Sequence, residues 1–174
     1  MIAKGTYILA ALNELDKDGF VQIIGPVFEH SEWIAEAVWA KRPFADFGLL
    51  HRALCETVRN AGEKKQLALI CAHPDLAGRV ALAGALKLES ASEQASAGLN
   101  QLSPEEIDLF QKRNAAYKET FGFPFVICAR LNRKEAILDG FRARLPNSRE
   151  REIQIALQEI FKIAELRLND LIST

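Results

Sequence analysis

Apolar residues recur at three- and four-residue intervals along most of the chain, the spacing of amphipathic helices. Tyr7 to Leu15 is helix-compatible, and Asp16-Lys17-Asp18-Gly19 interrupts it before Phe20 to Ile24, which Gly25-Pro26 closes. Ser31 is a good N-cap for a helix that carries Trp33, Ile34, Val38 and Trp39 and ends before Pro43. Phe44-Ala45-Asp46 opens the next helix, with Leu49, Leu50, Ala53, Leu54, Thr57 and Val58 on one face. Gly62 leads into Lys64 to Cys71, where Leu67, Ile70 and Cys71 point one way. A residue before proline is denied the helical region, so this pattern must break at Cys71-Ala72-His73-Pro74-Asp75 and turn the imidazole toward whatever fills the break.

Beyond the break, Arg79 to Leu86 is mildly apolar and Ser90 begins a helix through Leu99. Ser103-Pro104-Glu105-Glu106 is the clearest helix start in the chain: N-cap serine, proline at the first helical position, glutamate three residues on. That helix runs to about Thr120. Phe123 to Ala129 is the one strand-like run, and a lone strand has nothing to pair with, so an extended segment near residues 123–129 is expected to lie on the helices. Further helices run from Lys134 to Leu145, stopped by Pro146, and from Ser148 to about Leu171. The pattern predicts an all-α fold, one compact domain over residues 1–174 with about eight helices.

With 49% hydrophobic residues, 26% charged and a net charge of -1, the 174-residue chain has an ordinary globular composition. The charge balance offers no basic field to nucleic acid and points to a small-molecule or protein partner. Cys55, Cys71 and Cys128 lie far apart without metal-ligand spacing, which fits buried, reduced thiols in a cytoplasmic protein. No secretion signal is expected at Met1 to Gly5, and no apolar run approaches the roughly 20 residues of a membrane span.

Three polar residues do not suit a passive core. On the last helix, at about 100° per residue, Ile153, Ala156, Leu157, Ile160, Ile163, Ala164, Leu168 and Leu171 share one arc, and Arg167 falls near its middle. A core-directed guanidinium needs an anionic partner: it snorkels out, forms an internal ion pair, or clamps a substrate carboxylate. Ser90 and Glu93 have capping-box spacing, which by itself makes them a helix start, with Gln94 solvated beside them. His73 is equally well read as a structural histidine at a helix break or as an acid-base group near neutral pH. His30, His51, Trp33, Trp39 and Tyr117 read as packing residues.

Taken together, Phe28-Glu29-His30-Ser31, Arg42-Pro43-Phe44, Ala72-His73-Pro74-Asp75-Leu76-Ala77, Ser90-x-x-Glu93-Gln94-x-x-Ala97-Gly98-Leu99, Phe121-Gly122-Phe123-Pro124-Phe125-Val126-Ile127-Cys128-Ala129 and Glu165-Leu166-Arg167-Leu168 resemble, in order and over nearly the whole chain, the OHCU decarboxylases. OHCU is 2-oxo-4-hydroxy-4-carboxy-5-ureidoimidazoline, in the urate-to-allantoin branch of purine breakdown. The resemblance implies an all-α homodimer that needs no cofactor or metal and turns OHCU into (S)-allantoin and CO2. It implies that His73 transfers the proton with Glu93 beside it. It also implies substrate contacts at Pro74, at Ser90, Ala91, Ser92, Glu93 and Gln94, at Phe125, Val126, Ile127, Cys128 and Ala129, and at Arg167. A competing expectation is a helical ligand-binding or protein-interaction module that keeps the pocket without turnover.

Overall fold

The computed structural model describes residues 6–78, 84 and 88–173. In chain order these form β1 (Tyr7–Ile8), α1 (Leu9–Glu14), α2 (Lys17–Ile24), a 3-10 turn (Gly25–Val27), α3 (Trp33–Trp39), α4 (Phe47–Arg59), α5 (Glu63–Cys71), α6 (Leu88–Ser96), α7 (Pro104–Phe121), a second 3-10 turn (Ala129–Leu131), α8 (Lys134–Arg144), α9 (Arg149–Leu171) and β2 (Ile172–Ser173). The fold is mostly α, with nine helices among the described residues. Its small sheet is a parallel pair, Tyr7 facing Ile172 and Ile8 facing Ser173. The expectation for Arg79 to Leu86 lies, apart from Gly84, outside the described residues.

The described chain divides into two compact units, residues up to Ala72 with Phe161 onward, and His73–Ile160. In the first, Phe20, Ile24, Ile34, Val38, Leu50, Leu54 and Val58 are fully buried. In the second, Phe110, Tyr117, Phe125 and Phe141 form the centre, with Phe125 and Phe141 stacked at 3.9 Å and Tyr117 edge-on to Phe125 at 5.1 Å. Burial of each such side chain is worth about 1.5–3 kcal/mol, so these clusters anchor their helices.

Local chemistry sets the helix boundaries. The helical run is interrupted at Leu15 and Asp16, as expected, and the same stretch starts the next helix, because the Asp16 carboxylate accepts the Gly19 N–H at 2.8 Å and caps α2. Ser31 is not the cap of α3, which begins at Trp33; instead the Ser31 carbonyl accepts the Ile34 N–H at 3.0 Å. The capping box at Ser103 and Glu106 is formed, with Pro104 behind it, and Gly122 at φ 80° ends α7 by donating to the Lys118 carbonyl at 2.8 Å. α6 stops at Ser96 rather than Leu99. There Gly98, at φ 80°, and Leu99 donate to the carbonyls of Ala95 and Gln94 at 3.0 and 3.1 Å, a Schellman closure that left-handed glycine permits. On α5 the buried residues are Leu69 and Ile70, and Cys71 is exposed, so only Cys55 and Cys128 are buried thiols.

Candidate active site

α5 ends at Cys71, Ala72 caps it in helical geometry, and the chain then turns through His73 and Pro74. His73 is 9% exposed, so the break carries its imidazole inward rather than into solvent. The turn that follows is tight. Gly78 donates to the Asp75 carbonyl at 3.3 Å, and a Cβ on Gly78 would lie 2.6 Å from that of Asp75. Ala77 sits at φ 49°, a left-handed conformation that costs a non-glycine residue about 1–2 kcal/mol.

Side chains from two helices hold this turn against its strain. Gln94 Oε1, on α6, accepts the Ala77 N–H at 3.0 Å, and its Nε2 donates to the Asp75 carbonyl at 3.3 Å. From α7, Asn114 Nδ2 donates to the Leu76 carbonyl at 2.8 Å, and Lys118 Nζ pairs with Asp75 Oδ2 at 2.7 Å. Gln94 is thus buried, not solvated, and its amide spans the turn.

Ser90 and Glu93 do not form a helix start. α6 begins at Leu88, which puts Ser90 inside the helix, where it cannot cap it. Ser90 and Gln94 lie on its buried face, Glu93 beside them is half-buried, and Ala91 and Ser92 are exposed. The Glu93 carboxylate is close enough to Cys128 to help raise that thiol's pKa, behind burial as the main cause. The helix and the extended segment therefore meet in the same unit.

Among the described residues the segment at 123–128 has no strand partner, as expected, and it becomes the 3-10 turn at Ala129. Its backbone is only partly free. The Val126 carbonyl accepts from Arg144 at 2.7 Å, Glu159 accepts the Cys128 N–H at 2.8 Å, and Asn132 donates to the Cys128 carbonyl at 2.9 Å. Among the described residues the Ile127 N–H and carbonyl have no partner within the chain.

Under the segment lies a buried ionic network. Arg144 pairs with the fully buried Glu152 at 2.9 Å and stacks on the Phe125 ring at 4.2 Å. Glu152 also accepts from Tyr117 and, at 2.7 Å, from Asn147. Burial and the bond to Glu152 push the Tyr117 phenol well above its ordinary pKa, so it stays a donor. Sequence reasoning missed this network, although a signal was present: at about 100° per residue Glu152 falls within about 20° of Ile163, on the edge of the apolar arc that exposed Arg167.

Arg167 belongs to the first unit, where it is 7% exposed. Its Nη2 pairs with Glu29, itself 3% exposed, at 2.9 Å, and its Nη1 donates to the Val27 carbonyl at 3.4 Å. Arg167 thus forms an internal ion pair and does not snorkel out to solvent. His51 Nε2 bonds the Phe161 carbonyl at 3.0 Å and the Trp39 indole donates to the Leu15 carbonyl at 3.2 Å, as packing residues would, whereas His30, expected to pack, is exposed. Among the described residues no cluster of His, Cys, Asp or Glu is arranged to hold a metal ion, and no helix is long and apolar enough to cross a membrane.

The profile of a family described as OHCU decarboxylase matches residues 13–169. A 2-oxo-4-hydroxy-4-carboxy-5-ureidoimidazoline decarboxylase of Halalkalicoccus jeotgali is 41% identical over 92% of this chain and 89% of its own. One from Amia calva is 44% identical over 92% of each. The crystal structure of an (S)-allantoin synthase superposes with a TM-score of 0.75 at 26% identity, covering 93% of this chain; the chain spans 53% of that protein's length.

Proposed function

Because the chain belongs to the OHCU decarboxylase family, we propose that it converts 2-oxo-4-hydroxy-4-carboxy-5-ureidoimidazoline into (S)-allantoin and CO2, the last step from urate to allantoin. The enzyme is a carboxy-lyase that works without a cofactor. The observation that carries the reading is a buried histidine on a turn clamped by Gln94 and Asn114, in the same unit as an extended segment whose Ile127 amide and carbonyl are unclaimed among the described residues.

The substrate supplies its own electron sink, so neither pyridoxal nor thiamine is needed. As the bond from C4 to the carboxylate breaks and CO2 leaves, its electron pair forms C4=C5 while the C=N pair moves onto the ring nitrogen. The ring nitrogen takes up one proton from solvent, and loss of the 4-hydroxyl proton with delivery of a proton to C5 then gives the carbonyl and the new stereocentre. His73, with Glu93 beside it, handles a proton in this sequence, and delivery from one side makes the product (S). Pro74, Ser90 to Gln94, and Phe125 to Ala129 line the substrate. Ile127 reads ring or ureido heteroatoms through its backbone, and Arg167, aligned by Glu29, orients anionic or carbonyl oxygens.

The reading takes residues 1–174 as one functional domain, a proposal supported by the family match at 13–169, which draws on both units. It further takes the protein to be a cytoplasmic homodimer, for which light scattering would read twice the chain mass. To test the activity, OHCU is generated in situ from urate with urate oxidase and 5-hydroxyisourate hydrolase, and its decay is followed with and without this protein. Decay well above the spontaneous rate supports the enzyme. Tight binding of ureido compounds with no acceleration supports the alternative, a helical module that keeps the pocket without turnover.

A further inference from the structure

Asn114 is an anomaly on α7. The other buried residues of that helix are Phe110, Tyr117 and Phe121, and Asn114 stands among them at 4% exposure. Its Oδ1 is buried and has no hydrogen-bond partner among the described residues, an arrangement that costs stability relative to an apolar side chain of similar size. What the amide supplies is a donor to the Leu76 carbonyl, three residues after His73 and next to the left-handed Ala77. One turn along the same helix, Lys118 reaches Asp75. Tyr117, between them, donates to Glu152, whose partner Arg144 holds the Val126 carbonyl. A single helix therefore grips both the turn that carries His73 and the extended segment.

We propose that Asn114, assisted by Lys118, is a positioning residue for His73: α7 fixes the turn behind the imidazole and so sets the direction in which it moves its proton relative to the segment at 125–129. This rests on the decarboxylase reading above. Loss of the grip should slow the proton step while leaving substrate binding to the groups that touch it, so the effect belongs in kcat rather than in KM.

The test uses Asn114→Leu, which keeps the γ-branched shape and removes the donor, with Lys118→Met and Lys118→Arg as a partly exposed pair that bears less on folding. With OHCU generated in situ, Asn114→Leu should lower kcat by about tenfold or more with KM within about twofold. Lys118→Met should give a smaller loss that Lys118→Arg restores. By NMR, the ring nitrogens of His73 should shift in Asn114→Leu and Lys118→Met while those of His30 and His51 stay in place. Unchanged kcat per folded molecule in both variants, with unmoved His73 resonances, would overturn the proposal. If Asn114→Leu does not fold, the Lys118 pair decides. Should the wild type itself lack decarboxylase activity, the functional reading falls, and the His73 resonances alone decide whether α7 positions the imidazole.

Discussion

Arg167 and Glu29 set the terms at the residue scale. Two buried charges 2.9 Å apart are stable together, whereas either alone is expensive, because the survivor stays buried without its counter-charge. Arg167→Met should therefore destabilise the protein by about 3–5 kcal/mol as well as lower activity. Adding Glu29→Gln should recover much of that stability without restoring turnover, since the guanidinium proposed to orient the substrate is still missing. Chemical denaturation of the single and double variants, alongside turnover per folded molecule, separates the two roles. If the double variant regained activity with its stability, Arg167 would be purely structural.

The lesson at the scale of elements comes from α6. Ser90-x-x-Glu93 has the spacing of a capping box, yet α6 begins at Leu88, so the two residues sit within the helix. By contrast Ser103 and Glu106, at the same spacing but with Pro104 at the first position, do form the box. Ser103→Ala should accordingly cost about 1 kcal/mol with activity intact. Glu93→Gln should change the melting temperature little while sharply reducing turnover, and the reverse result would return Glu93 to a structural role. Much of the fold was legible because helix periodicity, caps and the Pro146 stop are local signals. The parts that were not legible depend on distant partners. Nothing local in Gln94 or Asn114 announces that each will meet the turn at 75–77, and Glu29 stands 138 residues from Arg167. Spacing did mark Arg167 as buried and residues 123–128 as an extended segment, unpaired among the described residues. It did not reveal that Arg144, Glu159 and Asn132 claim part of that backbone.

For the whole molecule, three buried weak acids define an alkaline limit. Burial pushes the Cys55 thiol up to about 11 and raises the Cys128 thiol and the Tyr117 phenol, so all three bind their protons more tightly folded than unfolded. Their contribution is complete below the ordinary thiol pKa of about 8.5, and it declines as the pH rises from there toward 11 and beyond. Stability by urea denaturation should fall across that range, and Cys55→Ser should flatten the first part of the decline. The central claim is that the chain decarboxylates OHCU stereospecifically through His73, and the most direct measurement is circular dichroism of the allantoin formed from in situ OHCU by wild type and by folded His73→Asn. Rapid appearance of optically active (S)-allantoin with wild type, lost in His73→Asn, is the predicted result. Racemic product at the spontaneous rate with wild type, or undiminished (S)-allantoin with His73→Asn, would contradict it.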